Sequence, residues 1–360
     1  MKTKSFYDST KSYEENYDQG PFGIFREGLE FLKPTKPSTF LGFTIDFPFG
    51  IPAGPLLNSN FVVGAWKCGF PISTYKTVRS GIYPCHPFPN VIKVKGPTFD
   101  IHPGDTVIGD RDMTTIDIEH DGITNSFAVP SKAAPVWQQD MKKAVEMMTN
   151  GKLLIGSFMG IKRDEMSLRE YVEDFVTACS LVKQTQAPVL EVNLSCPNFG
   201  KEGLICNDVE TSTLMLEALK KAKGNIPLLV KIGYFNKEVQ GDLEKLLDAI
   251  HEYADGVVAI NTVSAKVVDG GGKQMLPGSP VRLFSGTCGA TIRWAGLEMA
   301  ERLMTYKQKK AWKDFVVVGV GGVVKPEDYF MYKKLGVDAV MSATGAMWRP
   351  TLAKEIAEKL

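Results

Sequence analysis

Between Glu191 and Gly200 the chain reads "EVNLSCPNFG". A strand-like apolar start gives way to Asn193, Ser195, Cys196 and Asn198 within six residues. A thiol set among carboxamides can serve as nucleophile or as proton acceptor. Pro197 restricts the backbone directly after it. No histidine lies nearby in sequence, so a papain-like thiol–imidazole pair has no visible partner. Cys68, Cys179 and Cys206 read instead as inert, small apolar residues.

Two lysines raise a related question. "YKTV" carries Lys76 and "LVKIG" carries Lys231, each near the end of an apolar β-branched run. A lysine placed there is poorly solvated and calls for an anion or an electron-rich ring beside it. The bland alternative is a lysine that snorkels out to water. Near the C-terminus, "GVGGV" offers Gly321 and Gly322, and "SATG" offers Thr344. Gly-rich turns that expose backbone N–H groups suit phosphate, although a plain tight turn produces the same pattern.

These residues need elements to bring them together. Eight short apolar runs recur, beginning at Phe49, Ile72, Leu153, Val189, Pro227, Gly256, Phe315 and Asp338. Amphipathic helical patterns lie between them. In "MSLREYVEDFVTACSLVKQT" the apolar side chains Leu168, Val172, Phe175, Val176, Cys179 and Val182 make one stripe. "KPEDYFMYKKLG" begins with Pro326, has acids first and lysines last, and stops at Gly336. Continuously apolar strands alternating with such helices predict a parallel sheet covered by helices, and eight units predict a (β/α)8 TIM barrel. A doubly wound sheet would need a dinucleotide fingerprint after the first strand, and "AGPLLN" is not one. In a barrel the chemistry collects at C-terminal strand ends. Those ends carry Ala53 and Gly54, Lys76 and Thr77, Ser157, Asn193 to Asn198, Lys231, Asn261 and Thr262, Gly321 and Gly322, and Thr344. The stretch of about residues 80–130 is rich in Pro, Gly and Asp, and predicts a β-rich excursion over the C-terminal face. Residues 1–40 form an N-terminal extension to a single barrel over 41–360, and "FGIFREGLEFLKP" within it predicts a short amphipathic helix packed on the body.

Bulk properties exclude several classes. With 44% apolar and 23% charged residues the chain is an ordinary globular protein. A net charge of +1 gives no attraction to nucleic acid or an anionic membrane. No apolar run reaches bilayer length, and the polar start has no secretory core. Six scattered cysteines and four dispersed histidines suggest reduced thiols in a cytoplasmic protein without a zinc site.

The segments "AGPLLN", "YKTV", "TNSFAVP", "NLSCPN", "LVKIG", "AINTVS", "FSGTCGATIR", "VGVGG" and "SATGAM" resemble, in order, those of the FMN-dependent dihydroorotate dehydrogenases and the related dihydropyrimidine dehydrogenase barrel. The resemblance spans about Leu41 to Pro350. It implies FMN at the barrel mouth, with its phosphate on Gly289, Gly321, Gly322 and Thr344. Ala53, Gly54, Thr77 and Ser157 would line the flavin, with Asn125 and Asn193 also reaching it. Lys76 and Lys231 match the family's flavin-contacting lysines, Lys76 serving substrate and catalysis as well. Asn125, Asn193, Asn198 and Asn261, assisted by Thr262, would clamp a cyclic imide, whose edge suits carboxamides. Cys196 would be the general base that takes the C5 proton of dihydroorotate while hydride leaves C6 for flavin N5. The cysteine implies the soluble branch, a small acceptor such as fumarate, and a homodimer. Two departures stand out. The loop that usually reads N-x-M-G-L-P-N keeps Asn125 but has Phe127, Ala128 and Ser131 in place of Met, Gly and Asn. "NTVSAK" and "SGTCGATIR" lean towards the dihydropyrimidine relative, which makes dihydrouracil the competing substrate. Outside this family, a Schiff-base aldolase using Lys231 would leave Cys196 and the asparagines without a role. A non-enzymatic flavin- or ligand-binding barrel is the remaining alternative.

Overall fold

The computed structural model describes residues 5–30, 34, 36–195, 203–278 and 282–360. All eight predicted runs form strands: β1 (Phe49–Ile51), β2 (Ile72–Arg79), β3 (Leu153–Met159), β4 (Val189–Asn193), β5 (Leu228–Ile232), β6 (Gly256–Ala259), β7 (Val316–Val320) and β8 (Ala339–Met341). They close in chain order into one parallel barrel, with β8 pairing back onto β1. Burial explains the continuous apolar runs. In β5, Leu228, Val230 and Ile232 pack outward under the helices, while Leu229 joins Ile72, Ile155, Val189, Val258 and Val318 inside the barrel.

The intervening helices follow their sequence signals. Ser167 caps Leu168–Lys183 with a capping box to Glu170, and Pro326 opens Pro326–Lys334. A hairpin of Ser38–Phe40 and Phe43–Ile45 closes the opposite end of the barrel, where Phe40 and Ile45 enter the interior cluster. Beside it, a buried ion pair joins Lys152 Nζ to Asp46 at 2.9 Å.

Two features depart from the expectations. The predicted helix in "FGIFREGLEFLKP" is a single turn, Ile24–Glu27, because Gly28 takes φ +99 and Leu29 N–H then donates to Lys67 carbonyl oxygen. Residues 31–33 lie outside the described residues. The excursion supplies only three strands of its sheet, Lys93–Lys95, Thr106–Asp110 and Gly122–Asn125. Val263–Val268 and Phe284–Gly289, which follow β6, complete them into a second small closed sheet. It has its own core of Ile92, Val94, Ile101, Val107, Ala265, Val267 and Leu276. Among the described residues no helix is long and apolar enough to cross a membrane.

Candidate active site

A cavity opens where the barrel's C-terminal strand ends meet the small sheet. Ala53, Gly54, Lys76, Thr77, Asn193, Lys231, Asn261, Thr262 and Thr344 line it from the barrel side, and Asn125 from the excursion. An adjoining pocket is lined by Gly289, Gly321, Gly322 and Thr344, and shares Asn261 and Cys288 with the cavity. Ser157 lies outside the cavity wall, bonded to Thr77 and Glu191. Cys196 and Asn198 lie outside the described residues.

The carboxamides are held by their neighbours. Asn193 Oδ1 accepts from Ser195 N–H at 3.1 Å and from Ser195 Oγ at 2.7 Å. Asn261 Nδ2 donates to the same Oγ at 2.7 Å. One hydroxyl therefore ties the end of β4 to the loop after β6 and orients two side chains toward one space.

Neither strand-end lysine snorkels out. Lys76 is 6% exposed and Lys231 is 3% exposed. Burial, with Arg79 and Lys231 adding repulsion, brings the Lys76 ammonium down to about 7. Burial also lowers Lys231, with Glu191 acting in the opposite direction. Among the described residues no carboxylate lines the cavity. A space walled by two such cations and three asparagines suits a planar anion with donor and acceptor edges.

The glycines fit a large ligand. Gly54 at φ +141 has open space where a Cβ would stand. Gly289, Gly321 and Gly322 take φ +104, +130 and +70, and a Cβ on Gly322 would run into Arg293. Tyr332 Oη donates to Gly321 carbonyl oxygen at 2.7 Å, fixing that turn. The result is a narrow cleft of backbone beside Thr344, of the kind that admits phosphate.

Several lining residues had no signal in the sequence. Tyr7 and Tyr13, from the N-terminal extension, close one side of the cavity with Phe127. Their rings meet Phe127 at 5.8 and 6.1 Å. Ser12 caps the helix Tyr13–Gln19, and Phe6 N–H donates to Met347 carbonyl oxygen, tying the extension to the barrel. Cys288 also lines the cavity, its thiol pushed up to about 11 by burial. Arg79 is buried beneath the loop that bears Phe127. Its guanidinium donates to the carbonyls of Ala128, Val129 and Gly160 at 2.8–2.9 Å.

Comparison with known proteins turns this geometry into a family assignment. The family model "Dihydroorotate dehydrogenase" matches residues 106–360. The chain belongs to the dihydroorotate dehydrogenase family. A dihydroorotate dehydrogenase of Dictyostelium discoideum is 36% identical over 97% of this chain and 96% of its own length. The catalytic subunit of a dihydroorotate dehydrogenase B (NAD(+)) from Staphylococcus carnosus is 30% identical over 52% of this chain and 58% of its own. A dihydroorotate dehydrogenase (quinone) of Halorhodospira halophila is 24% identical over 89% and 84%. Dihydroorotate dehydrogenases are flavin-dependent oxidoreductases of small molecules, which agrees with a cavity built for a ring system and an adjoining phosphate-sized cleft.

Proposed function

We propose that this protein oxidises dihydroorotate to orotate in pyrimidine biosynthesis, using FMN as its flavin. The observation that carries the reading is the cavity lined by Lys76, Lys231 and three asparagines, with the glycine cleft adjoining it across Asn261 and Thr344. It offers one place for a flavin with its phosphate and one for a small anionic ring. Gly289, Gly321, Gly322 and Thr344 would hold the phosphate. Ala53, Gly54, Thr77 and Lys231 would hold the ring system, with Ser157 supporting it from below. Bound FMN would supply the hydride acceptor for substrate C6.

The chain's own residues supply the rest. Asn125, Asn193 and Asn261 donate to and accept from the imide edge, with Thr262 beside them, and so fix which carbons face the flavin. Asn198 would complete that clamp. Lys76, in the cavity wall, would meet the substrate carboxylate. Cys196 would take the C5 proton; a thiol near its ordinary pKa of ~8.5 is a workable base once water is excluded. The extension and the loop that bears Phe127 help to exclude it, since Tyr7, Tyr13 and Phe127 close one side of the cavity. Fumarate, a small dicarboxylate that Lys76 could also receive, is the proposed electron acceptor, and a homodimer is the proposed assembly.

An anaerobic absorption spectrum tests the reading. Oxidised flavin absorption should bleach on adding dihydroorotate and recover on adding fumarate. Bleaching by dihydrouracil alone would move the substrate to the other cyclic imide. A colourless protein that FMN does not reconstitute would defeat the flavin reading.

A further inference from the structure

Glu191 stands in the middle of β4 and is fully buried. An acid flanked by Leu190 and Val192 needs a reason, since burying an unpaired carboxylate is costly. Ser157 Oγ donates to its Oε1 at 2.9 Å, and the Ser157 hydroxyl also meets Thr77 Oγ1 at 2.9 Å. Oε2 accepts no hydrogen bond among the described residues.

Strand geometry says where this carboxylate points. Side chains alternate along a strand, so Glu191 shares the inward face of Asn193, one layer deeper. Asn193 pairs with Lys231 across β4 and β5. Glu191 therefore lies diagonally beneath Lys231 on the neighbouring strand. The ammonium donates upward, to Ala53 carbonyl oxygen at 3.1 Å in the cavity wall. Burial pushes the carboxyl up and the ammonium down, and each of the two opposes that push on the other. Lys76 adds a second cation to the same wall. The Cys288 thiol, up at about 11, stays neutral near pH 7 and supplies no charge. That leaves Glu191 as the one carboxylate acting on Lys231 among the described residues.

We infer that Glu191 is a positioning residue for the redox step, keeping Lys231 cationic in the wall of the flavin cavity. This rests on the flavin reading above. A fixed cation there favours the reduced flavin, which carries more negative charge than the oxidised form. Glu191 lies outside the wall and acts through the lysine, so its effect belongs to the redox equilibrium rather than to substrate contact.

The test is the midpoint potential of the bound flavin, measured by equilibration with a redox dye, in Glu191→Gln, Lys231→Met and the double variant. Glutamine keeps the shape and an acceptor for Ser157 but not the charge. The reduced-to-oxidised ratio at fixed poise should fall at least about tenfold in Glu191→Gln, about 30 mV for a two-electron couple. Lys231→Met should lower it too. The double variant should match Lys231→Met, because a buried glutamate without its lysine is already neutral. Ser157→Ala strips one hydrogen bond from the carboxylate and should move the ratio the same way by a smaller factor, which keeps the test open if Glu191→Gln does not fold. An unchanged or raised potential in Glu191→Gln, or in Ser157→Ala where that variant stands in, would overturn the inference. So would a double variant that falls further than Lys231→Met. Failure of the unaltered protein to bind flavin would instead defeat the flavin reading itself.

Discussion

The sharpest consequence of the site's electrostatics concerns Lys76. Its ammonium is brought down to about 7 by burial first, with Arg79 and Lys231 adding repulsion and Cys85 opposing them. Cys85 itself is pushed up to about 12 by burial, so its own titration lies far above the range of interest. The product orotate is an anion, and a bound anion favours the charged lysine. The free protein then has to take up a proton on binding wherever Lys76 is neutral. The sign follows: affinity is full below pH 7 and falls as pH rises through 7. With a midpoint of about 7, the factor 1 + 10^(pH−7) is about 1.1 at pH 6 and about 11 at pH 8. Orotate should therefore bind about tenfold more weakly at pH 8 than at pH 6, a difference of about 1.4 kcal/mol. Titration calorimetry in two buffers of different ionisation enthalpy should show close to one proton taken up per orotate at pH 8, and almost none at pH 6. In Lys76→Met the binding should be weaker overall and its slope over this range should vanish. A flat affinity in the unaltered protein, or a slope that persists in Lys76→Met, would refute the assignment of this cation to the substrate carboxylate.

Three further outcomes are expected. Arg79→Met frees the carbonyls of Ala128, Val129 and Gly160; charged hydrogen bonds contribute about 1.5–3 kcal/mol each, so the loop should loosen, with faster proteolysis near Phe127 and at least about a tenfold rise in the orotate Kd. Cys196→Ala should slow flavin bleaching by roughly 10²- to 10⁴-fold at neutral pH in stopped flow, whereas Cys179→Ala, in the helix layer, should leave the rate unchanged. Asp46→Asn removes the anion of the buried Lys152–Asp46 pair and Lys152→Met removes its cation; each leaves one charge buried, so each should cost about 3–5 kcal/mol in urea unfolding.

How much of this was readable beforehand depends on whether a residue acts along the chain or across it. Lys76, Asn193, Lys231 and Asn261 were legible because strand ends can be read from local apolar runs, and a barrel converges them. Gly321 and Gly322 were legible for the same reason, standing directly after β7. The small sheet was half legible: the Pro/Gly-rich excursion announced itself, but its partners at 263–268 and 284–289 lie far away in sequence, and no local pattern says that two such segments pair. Glu191 was in plain view within "EVNLSCPN" and still carried no signal, because its meaning comes from Ser157 and Lys231 on the two adjacent strands.

The altered loop shows the same distinction most clearly. Read alone, Phe127, Ala128 and Ser131 in "NSFAVPS" look like three independent departures from N-x-M-G-L-P-N. In three dimensions they belong to one rearrangement. Phe127 packs edge-on against Tyr7 and Tyr13, so the larger ring is the surface on which the N-terminal extension rests. Ala128 and Val129 hold φ +66 and +55, a conformation that favours glycine and costs about 1–3 kcal/mol per residue. Arg79 offsets that cost, bonding both of their carbonyls while its guanidinium lies 3.9 Å from the Tyr83 ring centroid. Ser131 exchanges backbone hydrogen bonds with Tyr83 and accepts from Arg79 N–H through its hydroxyl, closing the loop at its far end. The glycine's freedom has been replaced by an external clamp, and the aromatic ring gives the extension a place to dock. The loop and residues 6–13 therefore form one unit, and a change to either reaches the cavity through Phe127.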